Sequence, residues 1–132
     1  MLIGNFFTII STEERPTEAA TSGSKSFLVR IRINPDHEIF RGHFPGNPVV
    51  PGVCQVQMIR ETLELITGYQ GLLLDADNIK FLSMIVPDEK AVLELDLKTT
   101  GSDPARTGIT ATIRTPESTH LKFRGTLCLR PK

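Results

Sequence analysis

An α+β fold, in which a curved antiparallel β-sheet wraps around one central α-helix, follows from two patterns in the chain. Strand-like stretches, alternating apolar and polar residues with the period of a half-buried strand, precede and follow a single helical stretch. That helical stretch, Pro51 to Thr67, is apolar around nearly its whole circumference in its first half, whereas a helix lying on a surface would show one apolar stripe. Something must surround it, and a sheet that curls around it satisfies both patterns. At 132 residues and 39% hydrophobic the chain is the size of one domain, residues 1–132, with enough apolar surface for a core without disulfides or metal.

Taken in order, Met1 to Ile10 is apolar but has no basic leader region, and the polar residues that follow lack a small-residue cleavage pattern, so it reads as a first strand. Ser11 to Ser26 is rich in Ser, Thr, Glu, Ala and Gly and reads as an exposed hairpin connection. From Phe27 to Ile33, Val29, Ile31 and Ile33 share one face and Leu28, Arg30 and Arg32 the other, a strand ended by Pro35. Between Asn34 and Gly52 four prolines and three glycines argue against regular structure, yet Ile39, Phe40, Phe44, Val49 and Val50 are too apolar for a solvated linker. A packed, shaped loop is expected.

Pro51 suits the first turn of a helix, and Gly68 supplies the stop. Val53, Cys54, Val56, Met58 and Ile59 are expected inside, while Arg60, Glu61 and Glu64 are expected to approach solvent. Strand character then returns at Leu72–Leu74, Asn78–Ile85, Ala91–Thr99, Thr107–Thr115 and Leu121–Leu129. Leu93, Leu95 and Leu97 face one way and Glu94, Asp96 and Lys98 the other, the mark of an antiparallel strand with one face on the core.

Fifteen basic and fifteen acidic residues cancel, so the overall field gives no argument for nucleic acid or a membrane surface as partner. No apolar run approaches the roughly 20 residues that a membrane-spanning helix needs. Cys54 and Cys128 form no Cys-x-x-Cys pair and have no histidines beside them for zinc, so no metal or cofactor is expected, and a soluble protein of the reducing cytoplasm is. Cys54, apolar on both sides, reads as a small core residue. His37 and His120 have no motif around them and read as surface residues.

His43 is different. It stands in Glu38-Ile39-Phe40-Arg41-Gly42-His43-Phe44-Pro45-Gly46-Asn47-Pro48-Val49-Val50-Pro51-Gly52-Val53. This run resembles the signature of the β-hydroxyacyl-acyl carrier protein dehydratases of fatty-acid synthesis, a Gly-His-Phe-Pro run followed by Pro-Gly-Val at the start of the central helix. A looser echo continues through Asn78 to Leu82 and Val86-Pro87-Asp88. The resemblance implies the hotdog fold, an acyl carrier protein thioester as substrate, and a homodimer or higher even oligomer whose active sites form across the subunit interface.

Dehydrating a 3-hydroxyacyl thioester requires removal of a proton beside the carbonyl, stabilisation of the charge on the thioester oxygen, and protonation of the departing hydroxyl. By resemblance His43 is the base, and histidine titrates in the right range for that task. The amide hydrogen of Gly52, at the positive start of the helix, is the oxyanion donor, with Val53 beside it in the substrate-binding group. The third group departs from the family. Fourteen positions after the histidine the family has Glu or Asp, and here the residue is Gln57.

An amide can accept or donate a hydrogen bond but cannot give up a proton at neutral pH. General acid catalysis is worth roughly 10² to 10⁴ in rate, so the expected deficit is large without being total. Glu61, one turn further and roughly 6 Å along the axis, is a poor substitute on that geometry, as are Asp36 and Glu38. Three readings follow: a (3R)-hydroxyacyl thioester dehydratase using His43, Gly52 and Gln57; an acyl-binding pseudoenzyme or the non-catalytic half of a heterodimer completed by an acid-bearing relative; and a hotdog thioesterase.

Overall fold

The computed structural model describes residues 2–15, 24–42, 48–88, 91–101 and 103–131. Six strands form one antiparallel sheet: β1 (Phe7–Arg15), β2 (Lys25–Ile33), β3 (Tyr69–Phe81), β4 (Leu93–Thr100), β5 (Thr107–Arg114) and β6 (Thr119–Pro131). Their spatial order is β1-β2-β4-β5-β6-β3, which makes β1 and β3 the edges. A one-turn helix α1 (Ile39–Gly42) and the long helix α2 (Gly52–Thr67) lie between β2 and β3 in sequence.

The alternation seen in the sequence sets the register. Val29, Ile31, Leu95, Leu97, Ile109, Ile113 and Leu121 point inward, and the inner face of α2 adds Cys54, Met58, Ile59 and Leu63 to the same apolar cluster. Burying such a side chain contributes roughly 1.5 to 3 kcal/mol. On the outer face Arg114 reaches Asp96 at 2.9 Å and Glu94 at 3.5 Å, partly exposed pairs that contribute little.

Both ends of α2 fall where the sequence places them. Pro51 is the extended N-cap, and Gly68, at φ 76°, is the left-handed C-cap whose N–H donates to the Glu64 carbonyl at 2.8 Å. No helix of the described residues is long and apolar enough to cross a membrane.

Elsewhere the structure differs from the expectation. The first strand starts at Phe7 and continues through the polar Ser11 to Arg15, paired with β2, so the start of the predicted connection is strand; residues 16–23 lie outside the described residues. The two strands expected between Leu72 and Ile85 are one, β3, and it ends at Phe81. Register shifts at Leu73/Asp75 and Ala76/Asn78 pass over Leu74 and Asp77 as two bulges, which interrupt the alternation without ending the strand.

The surroundings of α2 differ most. Val53, expected inside, is 77% exposed, and Glu61, expected near solvent, is 2% exposed. The turn at the start of the chain, where Gly4 has φ 85° and Phe6 is buried, packs over the second half of the helix and covers Glu61.

Candidate active site

The start of α2 is where the elements of the site converge. Val50 reaches it by donating its N–H to the Ile85 carbonyl at 2.8 Å, which ties the incoming chain to the segment after β3. Upstream, α1 is fixed by Phe40, whose ring centroid lies 5.5 Å from that of Phe6, and by His37, whose Nδ1 accepts from the Ile39 N–H at 3.1 Å. His43 itself falls within 43–47, outside the described residues.

At the first turn, the N–H groups of Cys54 and Gln55 both donate to the Pro51 carbonyl, at 3.0 and 3.1 Å. Those of Gly52 and Val53 have no partner among the described residues, as expected of the first amides of a helix. The helix dipole adds to them, so the position favours an anionic or carbonyl oxygen. Gly52 also has a packing reason to be glycine. A Cβ there would stand 2.8 Å from Cζ of Phe81, whose ring lies across the helix start.

Two openings meet at this turn. A groove of about 590 Å³ is lined by Val49, Val50, Gly52, Gln55, Phe81 and the segment Leu82–Met84. A smaller cavity of about 130 Å³ lies between α2 and the sheet, with Val53, Val56, Gln57 and Arg60 on the helix side and Leu73, Ile109, Phe123 and Leu127 opposite. Val53, Gln57 and Arg60 follow one another at helical spacing, so one face of α2 forms that wall. It is apolar except for Gln57 and Arg60.

Gln57 Nε2 donates to Glu61 Oε2 at 2.8 Å. Glu61 in turn accepts from the N–H groups of Leu2, at 2.8 Å to one oxygen and 2.9 Å to the other, and of Ile3, at 2.9 Å. Burial works to raise the Glu61 pKa, but the hydrogen bonds from Leu2, Ile3 and Gln57 together outweigh it and hold the carboxyl below its ordinary value. Glu61 is therefore an ionised acceptor with its oxygens already engaged. The other carboxylate of α2, Glu64, accepts from the Gly71 N–H at 2.7 Å. Neither lines the cavity. Asp36 lies in a separate surface hollow with Gly4, Asn5 and Thr8.

His120 is not the surface residue expected. It is 8% exposed, its Nδ1 lies 2.8 Å from Ser83 Oγ and its Nε2 3.4 Å from Thr115 Oγ1, and Ser83 Oγ also donates to the Thr119 carbonyl at 3.1 Å. The network pins the segment after β3 against the start of β6. Burial raises the Cys54 thiol pKa, in keeping with a core residue. No group of His, Cys, Asp and Glu among the described residues could hold a metal. Sequence reasoning missed Phe81, Gln55 and Arg60 as parts of the site. A signal existed only for Gln55, a polar residue within the apolar half of the helix.

The ApeI-like family model, described as ApeI dehydratase, matches residues 19–111. A 3-hydroxyacyl-(acyl-carrier-protein) dehydratase FabZ of Alkaliphilus metalliredigens is 31% identical over 72 residues, 49% of this chain and 49% of that one. The chain thus spans about half the length of that relative. The FabZ of Listeria monocytogenes is 29% identical over 112 residues, 80% of this chain and 72% of its own. Among solved structures, the dehydratase heterocomplex ApeI:P from Xenorhabdus doucetiae aligns with a TM-score of 0.65 at 19% identity, covering 91% of this chain and 96% of that one. The shared architecture is the hotdog fold.

Proposed function

The chain belongs to the ApeI-like dehydratase family, and we propose that it is a (3R)-hydroxyacyl thioester dehydratase acting on an acyl carrier protein substrate. The observation that carries this reading is the start of α2, where the amides of Gly52 and Val53, without a partner among the described residues, lie between an open groove and a mostly apolar cavity. A thioester carbonyl held by those amides would lay its acyl chain along Val53, Val56 and Gln57. His43 would then take the proton next to the carbonyl as the bond from carbon 3 to oxygen breaks.

Gln57 cannot protonate the leaving hydroxyl. Its Nε2 is committed to Glu61, which fixes the amide orientation because a carboxylate only accepts. Its Oε1 is left as an acceptor for the substrate hydroxyl. The proton that His43 removes is then the one available to the departing hydroxide, so that water and the trans-2-enoyl thioester are the products. The test is to incubate the purified protein with a 3-hydroxyacyl carrier protein and follow the ultraviolet absorbance of the conjugated enoyl thioester. Turnover no greater than that of a His43→Ala control sinks the reading.

A second reading is favoured by the engagement of both α2 carboxylates: the chain binds the acyl thioester and is completed by an acid-bearing hotdog subunit. The edge strand β3 supports assembly with another subunit, since Leu72, Leu74, Ile79 and Phe81 are exposed on it. Co-expression with an acid-bearing relative would then raise activity above that of either protein alone. An unchanged rate argues against this second reading.

A further inference from the structure

Gln55 is 3% exposed and lines the groove at the start of α2. Its Nε2 donates to the Val50 carbonyl at 3.2 Å. A carbonyl only accepts, so this bond fixes the amide: Nε2 faces Val50, and Oε1 is the free end. Oε1 is buried and has no hydrogen-bond partner among the described residues. A buried acceptor without a donor is costly, and in a folded protein it calls for an explanation, either a water or a ligand group that the site is built to receive.

The location narrows the choice. Gln55 is one turn from Gly52, about 4.5 Å along the helix axis, so Oε1 accepts close to the place where the unpaired first-turn amides donate. The ligand must offer an acceptor oxygen and, a short distance away, a donor hydrogen, with apolar surface between and around them for Val49, Val50, Phe81 and Met84. A thioester of the pantetheine arm has this pattern: a carbonyl oxygen, then sulfur and a two-carbon link, then an amide N–H. Resting on the thioester reading above, we infer that Gln55 is a positioning residue whose Oε1 accepts the first amide N–H of the pantetheine arm as the thioester carbonyl meets the amide of Gly52. The arm therefore lies in the groove and the acyl chain in the cavity. Because the amide is common to coenzyme A and to the carrier-protein prosthetic group, Gln55 recognises the arm whichever of the two presents it.

The experiment compares two small thioesters of the same saturated acid, one of N-acetylcysteamine and one in which the amide N–H is replaced by an ester oxygen. The shapes match and only the donor differs. Binding to the full chain, measured by titration calorimetry or ligand-detected NMR, is expected to favour the amide about tenfold. In Gln55→Met, which keeps length and apolar packing but has no strong acceptor, the preference should vanish, and the butyryl thioesters of coenzyme A and of acyl carrier protein should weaken by the same factor. Equal binding of the amide and ester compounds by the unaltered protein overturns the inference while leaving the thioester site standing, and would mean that water satisfies Oε1. This comparison needs no variant to fold. Loss confined to one of the two natural carriers also overturns it, since the effect would then lie in the carrier. Failure of every thioester to bind overturns the underlying reading together with the inference.

Discussion

Gln57 Nε2 lies 2.8 Å from Glu61 Oε2, one turn further along α2. The residue at the position where the family has an acid is thus a direct neighbour of a buried, ionised carboxylate. The same Glu61 holds the Leu2 and Ile3 amides, so one side chain links the N-terminal turn to Gln57. A neutral amide suits that neighbour, and a second carboxylate would not ionise freely beside it.

Gln57→Glu should therefore create a proton donor. Two carboxylates at hydrogen-bond distance share a proton, and one of them titrates well above its ordinary range. The dehydration rate of the variant is expected to rise by about 10² or more. Because the protonated form is the active one, its rate should fall as pH rises through the raised value. The measurement is kcat against pH for wild type and variant; no gain at any pH refutes the expectation.

Glu61→Gln addresses stability. The Glu61 pKa is lowered in the fold, so its stabilising contribution is fully present above the unfolded value and is lost as pH falls through the folded one. At pH 7 the variant is expected to be less stable by about 2 kcal/mol, the scale of charge-assisted hydrogen bonds. The gap should shrink in acid, at and below about pH 4. Urea midpoints at the two pH values measure it, and a gap that does not depend on pH would count against the carboxylate's role.

Gly52→Ala tests the approach of Phe81. The added methyl meets the ring at 2.8 Å, but Phe81 is 55% exposed and can swing outward. Stability should fall by under about 1 kcal/mol, while the displaced ring narrows the groove and thioester affinity drops about tenfold, some 1.4 kcal/mol. Thermal melting alongside binding separates the two effects; unchanged affinity would remove Phe81 from the site.

Gly125→Ala has no such escape. Its Cβ would stand 2.5 Å from the backbone carbonyl oxygen of Asp75, at the β3 bulge. Backbone must move, at a cost of about 1 to 3 kcal/mol. Gly71→Ala is the control: its nearest neighbours are at 3.7 Å, and it should change stability by under about 0.5 kcal/mol. Denaturant midpoints that fail to separate these two variants would contradict the bulge packing.

Much of this protein is legible in its sequence, because alternation, proline and glycine act locally. Leu93, Leu95 and Leu97 reveal their inward face by period alone, and Pro51 and Gly68 mark the ends of α2 because proline is accepted only at the start of a helix and glycine readily takes the left-handed turn that ends one. The run from Glu38 to Val53 likewise identifies the family by residue identity, without any coordinates, and marks the start of α2 as the candidate site. Local pattern could not say what packs against each helix face. Polarity places Val53 inside and Glu61 near solvent, and the structure has the reverse, since a turn 59 residues from Glu61 in sequence supplies the amides that cover it. The contact between Gly52 and Phe81, the Oε1 of Gln55 without a partner among the described residues, and the pairing of the neutral Gln57 with the ionised Glu61 have the same origin. Each depends on the chain closing long loops, and a polar atom's partner is set by whichever distant segment that closure delivers.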